Sequence, residues 1–368
     1  MPVSRFGPAE ALAAPLAPPA ARGRLAQIRA TYFGTPRNAV VSLFCLALIV
    51  LAGQATAEWL LLDAVWAGGP EACKAGEGAC WPFLAEKLRF AVFGFFPYEQ
   101  QWRPGVAMLL LLAMCAATML PALWRRELLL GWVLALLAMY LLMAGGILGL
   151  VPVPTSQWGG LPLTLMLAVV GFGAGFPLGV ALALGRRSRL PAIRTLCTAY
   201  IELIRGVPLI SLLFMASVML PLFLPEGWTI DKVLRAQVAI ILFAAAYIAE
   251  VVRGGLQGID KGQYEAATAV GLGYWQNMIL VILPQALRIV IPPMVTLFIG
   301  FFQDTTLVTI VGLFDFLSSI RAAQRDPSWQ GIAVLEGYAF AAVVFFVFCW
   351  TMARYSRWLE ARFDVGHK

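Results

Sequence analysis

Long apolar runs separated by short polar segments dominate this chain. Eight such runs fall at roughly 39–62, 105–123, 128–150, 161–184, 208–224, 236–252, 289–313 and 334–352. Each approaches the roughly 20 apolar residues that a helix needs to cross a bilayer. The runs are apolar at successive positions and do not alternate with period two, so they predict helices and not barrel strands. The expected fold is therefore an all-α integral membrane protein with about eight transmembrane helices. The first run is too long for the core of a signal peptide and lacks a cleavage site, so it reads as a retained span. Three units are expected: a disordered cytoplasmic tail over 1–38, whose segment 2–19 is rich in Ala and Pro; a three-span extension over 39–157, with a long polar loop at 63–104; and a compact core over 158–368.

Composition agrees. Of 368 residues, 61% are hydrophobic and 13% charged, against about a quarter charged in soluble domains. The net charge of +7 could suggest nucleic acid, but the basic residues sit between apolar runs and form no single patch. Their distribution reads instead as topology. With the N-terminus in the cytoplasm, nineteen Lys and Arg residues fall in inside segments and eight in outside ones. This predicts both termini inside and agrees with an even number of spans. Trp66, Trp81 and Trp102 in the loop 63–104 then read as anchors at the outer interface.

The most informative polar stretch is 253–288, expected on the cytoplasmic side. Asp260 can cap a short helix over 262–270, and Gly271 can end it in a left-handed conformation. A second helix over 275–283 is expected to stop at Pro284. Ala266, Ala267 and Ala269 keep the first helix slim. Two readings stay open on these grounds: insertion into a partner's groove, or an amphipathic helix lying on lipid.

The segment Glu265-Ala266-Ala267, then Gly271, then Leu283-Pro284, resembles the EAA loop of permeases of ATP-binding-cassette (ABC) importers. Val281 stands where Ile is usual, a mild departure. Ile204-Arg205-Gly206-Val207-Pro208, the segment 246–255, Leu283-Pro284-Gln285-Ala286-Leu287-Arg288 and Gln303-Asp304-Thr305-Thr306-Leu307 resemble the polar amino-acid branch. The likeness covers about 161–357. The three extra spans are similar to those of long permeases of general L-amino-acid importers. The resemblance implies that 158–368 is the transmembrane permease core, in the bacterial inner membrane, and that 253–288 couples it to a cytoplasmic ABC ATPase dimer through Glu265, Ala266, Ala267, Gly271, Leu283 and Pro284. It also implies a second permease subunit (a copy or a paralogue) and a periplasmic amino-acid-binding protein. ATP would be used by the ATPase, and this chain would bind no cofactor. No Walker A pattern occurs, and 171–175 lacks the Lys and Ser/Thr that touch phosphate, so no ATP hydrolysis is expected of this chain.

Asp304 is expected at membrane depth, where a carboxylate is expensive and a functional-site candidate by default. With Thr305 and Thr306 it is a candidate for the translocation path, as are Arg205 and Glu250. Arg205 could instead neutralise Glu202, and Glu250 could form an ordinary pair with Arg253. Pro292-Pro293 either break their span or only kink it. Gly171, Gly175 and Gly179 are expected to serve close helix packing. Cys73 and Cys80 either pair in an oxidising compartment or remain free thiols. The other cysteines and His367 form no cluster with metal-ligand spacing. Neither catalytic nor metal residues are assigned. The alternative function is a secondary transporter or channel for small polar solutes, which predicts repeat symmetry and several ionisable residues at mid-membrane; a membrane-embedded enzyme would need a cluster of reactive groups, and none can be assembled.

Overall fold

A computed structural model describes residues 23–147 and 149–363. The segment 2–19 and His367 lie outside the described residues, as do Arg5, Arg22 and Lys368 from the charge count. Two units are resolved, divided at Ala64 and Val65.

The first unit holds α1 (Arg24–Phe33) and α2 (Pro36–Leu62). Helix α1 corrects the expectation of disorder throughout 1–38; Arg, Leu, Ala, Gln and Ile are good or fair helix formers. Thr35 caps α2 by accepting from the Asn38 amide, and Pro36 fills the first helical position. Ser42 Oγ donates to Tyr32 O at 2.9 Å, which fixes the bend between the two helices.

The second unit begins with α3 (Pro70–Ala75) and α4 (Trp81–Phe93), so the loop 63–104 is largely helical. Next come α5 (Tyr98–Met119), α6 (Arg126–Ala144), α7 (Gly160–Arg186), α8 (Pro191–Gly206), α9 (Leu209–Phe223), α10 (Lys232–Gln257), α11 (Lys261–Ala269), α12 (Tyr274–Val311), α13 (Phe316–Ala323) and α14 (Val334–Phe363). Among the described residues, seven helices are long and apolar enough to cross a membrane.

The expected span at 208–224 takes a different form. Helix α9 is too short to cross alone, and it meets α8 at a bend of 102°. The cause is Pro208, which has no N–H and holds Val207 extended (φ −108°, ψ 132°). A second correction concerns Pro284, where the helix was expected to stop. It runs on, because a wider π turn over Met278–Ile282 precedes the proline and relieves its clash with the preceding turn. Pro292-Pro293 do not break α12 either; the carbonyl of Pro292 accepts from Ser356 Oγ at 3.3 Å.

Helices α7 and α10 form the centre of the core and run parallel. Gly171, Gly175 and Gly179 face Ile240, Ala244 and Ile248, one turn apart on each helix. A Cβ on any of the three would lie within 2.9 Å of its opposite side chain, so hydrogen in place of a side chain sets the approach. At the end of the bundle where α7 begins, Gly159 and Gly160 bridge Phe314 and Asp315 in a short parallel pairing. Gly160 has φ +68°, and a Cβ there would sit 2.0 Å from Val92 O, so both conformation and space require glycine.

At this same end, α3, α4 and the segment after α13 form a cap. Cys73 and Cys80 are joined in a disulfide. The amide of Cys80 donates to the buried Glu336 carboxylate at 2.8 Å. Phe83 packs edge-on against the buried Trp329, with ring centres 5.6 Å apart. Replacing Cys73 and Cys80 by Ser is expected to lower cap stability by about 2–3 kcal/mol, the chain-entropy value for so short a loop. Thermal unfolding of the purified protein with and without reductant checks this; a melting temperature indifferent to both treatments would contradict it.

Lys87 Nζ lies 2.6 Å from Asp326 Oδ2 and 2.8 Å from Glu86 Oε1. The hydrogen bond from Lys87 holds both carboxyls below their usual pKa. Burial opposes the charge on Lys87, but its bonds to Asp326 and Glu86 outweigh this and raise its pKa. Depressed carboxylate values stabilise above the unfolded pKa of about 4, and that stabilisation fades as pH falls through the folded values. A raised lysine value stabilises below about 10.4 and is lost as pH rises beyond it. The link between α4 and the segment after α13 should therefore hold steady from about pH 5 to 9 and loosen in stronger acid. Hydrogen exchange over 81–93 should show this acid limb in the wild type and not in Lys87→Met.

Candidate functional site

Helix α11 stands between α10 and α12, and its ends are built as its residues require. Asp260 Oδ1 accepts from the Gly262 amide at 2.6 Å. At the other end the Gly271 amide bonds Thr268 O at 2.9 Å and the Leu272 amide bonds Ala267 O at 3.2 Å. This double closure needs a left-handed residue, and Gly271 supplies it with φ +86°. Ala267 is buried, while Glu265 and Ala266 are exposed. Glu265 shares an open concavity with Tyr264, Thr268 and Ala269. Val270, Tyr274 and Trp275, which follow in the chain, are exposed as well.

The helix is tied to the bundle by polar side chains. Asn277 Nδ2 donates to Tyr264 O at 3.3 Å, and Gln285 Nε2 donates to Gln263 Oε1 at 3.1 Å. Arg187 Nη1 donates to Tyr264 Oη at 3.0 Å. Leu283 and Pro284 lie inside α12, between Asn277 and Gln285, the two residues of that helix that make these contacts.

Arg205 and Glu250 come together, with Arg205 Nη1 3.4 Å from Glu250 Oε2. Arg253 also pairs with Glu250. Glu202 pairs with Arg186 at 2.8 Å, so the pairing of Arg205 with Glu202 gives way to a longer-range partner. In the sequence, Arg186 and Arg187 carry no signal beyond their place directly after a span, where basic residues mark topology. Asp304 and its neighbours form a separate group. Thr305 and Thr306 donate their hydroxyls to the helix carbonyls of Phe302 and Gln303, which leaves the hydroxyl oxygens free to accept. The Asp304 carboxylate is half-buried and has no hydrogen bond or ion pair among the described residues. No group of three or more metal-ligating side chains occurs among the described residues.

A bundle of spans interrupted by one capped, exposed helix is the architecture expected of an importer permease, and comparison with known proteins decides the family. The model for the inner membrane component of binding-protein-dependent transport systems matches residues 175–365, more than half of the chain. The chain belongs to this family. The permease is similar to the inner membrane amino-acid ABC transporter permease protein YhdY of Escherichia coli (strain K12), with 46% identity over 92% of this chain and 93% of that one. It is 38% identical to the glutamate/glutamine/aspartate/asparagine transport system permease protein BztC of Rhodobacter capsulatus, over 98% of both chains. Both relatives therefore match the extension as well as the core. Among solved structures, a crystal structure of an amino acid ABC transporter with histidines shares 30% identity and a TM-score of 0.50, covering 55% of this chain and 92% of that one. The permease is thus a multi-pass inner membrane protein and a transport subunit, and its family implies an ATPase and a substrate-binding protein as partners.

Proposed function

We propose that this permease moves amino acids inward through the bilayer, driven by ATP hydrolysis on a separate cytoplasmic ATPase dimer. A periplasmic binding protein delivers the substrate, and a second permease subunit completes the path. Both termini face the cytoplasm, which puts α11 inside and the disulfide-bonded cap outside, in the oxidising compartment. The observation that carries this reading is α11 itself: a short helix, capped by Asp260 and closed by Gly271, offered to a partner between two spans. Glu265 and Ala266 are the contact residues, Ala267 and Gly271 set the shape of the contact, and Leu283-Pro284 seat the helix on α12. ATP binding biases the importer only through unequal affinity of the ATPase for its two permease states, and α11 is the element that conveys this bias.

Asp304, Thr305 and Thr306 contribute to the path. The carboxylate has no partner among the described residues, so a substrate ammonium suits it, and the threonine oxygens offer acceptors beside it. The relatives named for amino-acid transport support this substrate class. The test is uptake of a labelled amino-acid panel by proteoliposomes holding the permease with its ATPase and binding protein. ATP-dependent import of at least one amino acid is expected; import driven by an ion gradient without ATP would overturn the reading.

A further inference from the structure

Arg186 and Arg187 are adjacent at the end of α7, yet their side chains serve different elements. Arg187 bonds Tyr264 of α11 at 3.0 Å and Leu256 O of α10 at 3.4 Å. Its guanidinium lies 5.5 Å from the centre of the Tyr264 ring. Tyr264 Oη also donates to Leu256 O at 3.1 Å, so the hydroxyl, the guanidinium and the end of α10 form one closed group.

Arg186 reaches α8 and α10. It bonds Glu202 at 2.8 Å and Glu250 at 3.2 Å. The same Glu250 carboxylate takes Arg205 from α8 and Arg253 from its own helix. One half-buried carboxylate therefore holds guanidiniums from α7, α8 and α10, and Glu202 is the second anion of the group. Arg205 lies two residues before Val207, where the 102° bend begins. Removing the Glu250 charge would leave three like charges facing one another in a partly desolvated place, which is costly.

We propose that the Arg186–Arg187 step is a transmission joint between the coupling helix and the α8–α9 elbow. Movement of α11 enters through Tyr264 and Arg187, and it leaves through Arg186, Glu250 and Arg205. The close glycine packing of α7 on α10 makes these two helices move as one body, so the joint acts at the end of a stiff lever. Arg186, Arg187, Tyr264 and Glu250 are positioning residues in this account. Glu250 and Arg205 then serve the linkage to the α8–α9 elbow and not substrate contact. The proposal rests on the function above, since it takes α11 as the site where the ATPase pushes. Energetic coupling between Tyr264 and Glu250 is the signature of such a joint.

The experiment uses the complete importer in proteoliposomes, with ATP hydrolysis and amino-acid import measured together. Tyr264→Phe keeps the ring and removes the hydroxyl; Glu250→Gln keeps the shape and removes the charge. Each is expected to raise the ATP consumed per amino acid imported by about fivefold or more, within the range of ordinary coupling energies. The ATPase should still co-purify in wild-type proportion, and Glu250→Asp should restore part of the coupling. Tyr264 and Glu250 share no direct hydrogen bond, so independent roles would give multiplicative effects. The joint predicts that the double variant is no worse than the more severe single one. Unchanged ATP consumption in Tyr264→Phe, or a multiplicative double variant, would overturn the joint. If Glu250→Gln fails to assemble, Tyr264→Phe decides alone. A wild-type complex that imports nothing would overturn the function itself, and the joint with it.

Discussion

Gly271→Glu is expected to abolish ATP-driven uptake while the membrane bundle still assembles. The residue has φ +86°, where any side chain costs about 1–2 kcal/mol. That cost falls on the end of one short helix, well below the stability of a whole bundle. Space within the chain is no obstacle, because a Cβ at Gly271 would meet nothing within 4 Å. A larger side chain would therefore project from the protein at the end of α11, directly after the exposed Val270. It would clash with whatever docks there, and a carboxylate buried without a partner in that interface adds a further penalty. Gly271→Ala provides the comparison, since it carries most of the backbone strain and little of the bulk; it should keep a measurable part of the transport. The assay is vesicle uptake combined with co-purification of the ATPase. Wild-type uptake by Gly271→Glu would remove the coupling role from α11.

The second large effect is expected at Gly179. A Cβ there would sit 2.6 Å from Ile248 Cγ2 and 2.9 Å from Ala245 O. One contact is a branched side chain and the other is backbone, so neither can swing away. Gly179→Leu must push α7 off α10, and overpacking of this kind costs about 1–3 kcal/mol or more. The yield of folded, monodisperse protein should collapse, and transport should fall with it. Gly173 supplies an internal control: it lies on the same helix, but a Cβ there meets nothing within 4 Å. Gly173→Leu should therefore purify like the wild type. Equal damage from the two substitutions would show that helix propensity, not close approach, governs this span.

Much of this architecture was legible because a span must announce itself as a long apolar run, and seven of the expected spans became single helices. The elbow was not legible. Arg194, Glu202 and Arg205 make 191–205 look like a loop by hydropathy, although the segment is an amphipathic helix whose buried Ile201 packs into the core. Pro284 misled for a different reason. A proline rule presumes a regular α-turn before it, and here a π turn takes its place. The capped helix with its glycine stop was readable, since both signals act within a few residues of chain. The pairing of Arg205 was not, because its nearer acid lies on its own helix and the acid that it meets lies on α10. Local spacing carries caps and stops, whereas ion pairs between helices are decided only by the packing.

Arg103 carries a consequence for how the chain is made. It lies in α5, almost wholly buried, and donates to Leu142 O at 2.7 Å and Val151 O at 2.8 Å. Those acceptors are 39 and 48 residues further along. When α5 emerges from the ribosome only the side-chain carbonyl of Gln100, one turn earlier, can accept from this guanidinium; the carbonyls of Leu142 and Val151 have not yet been made. The full set of partners for Arg103 therefore exists only after α6 and the segment behind it are made, so this end of α5 takes its final packing late in synthesis.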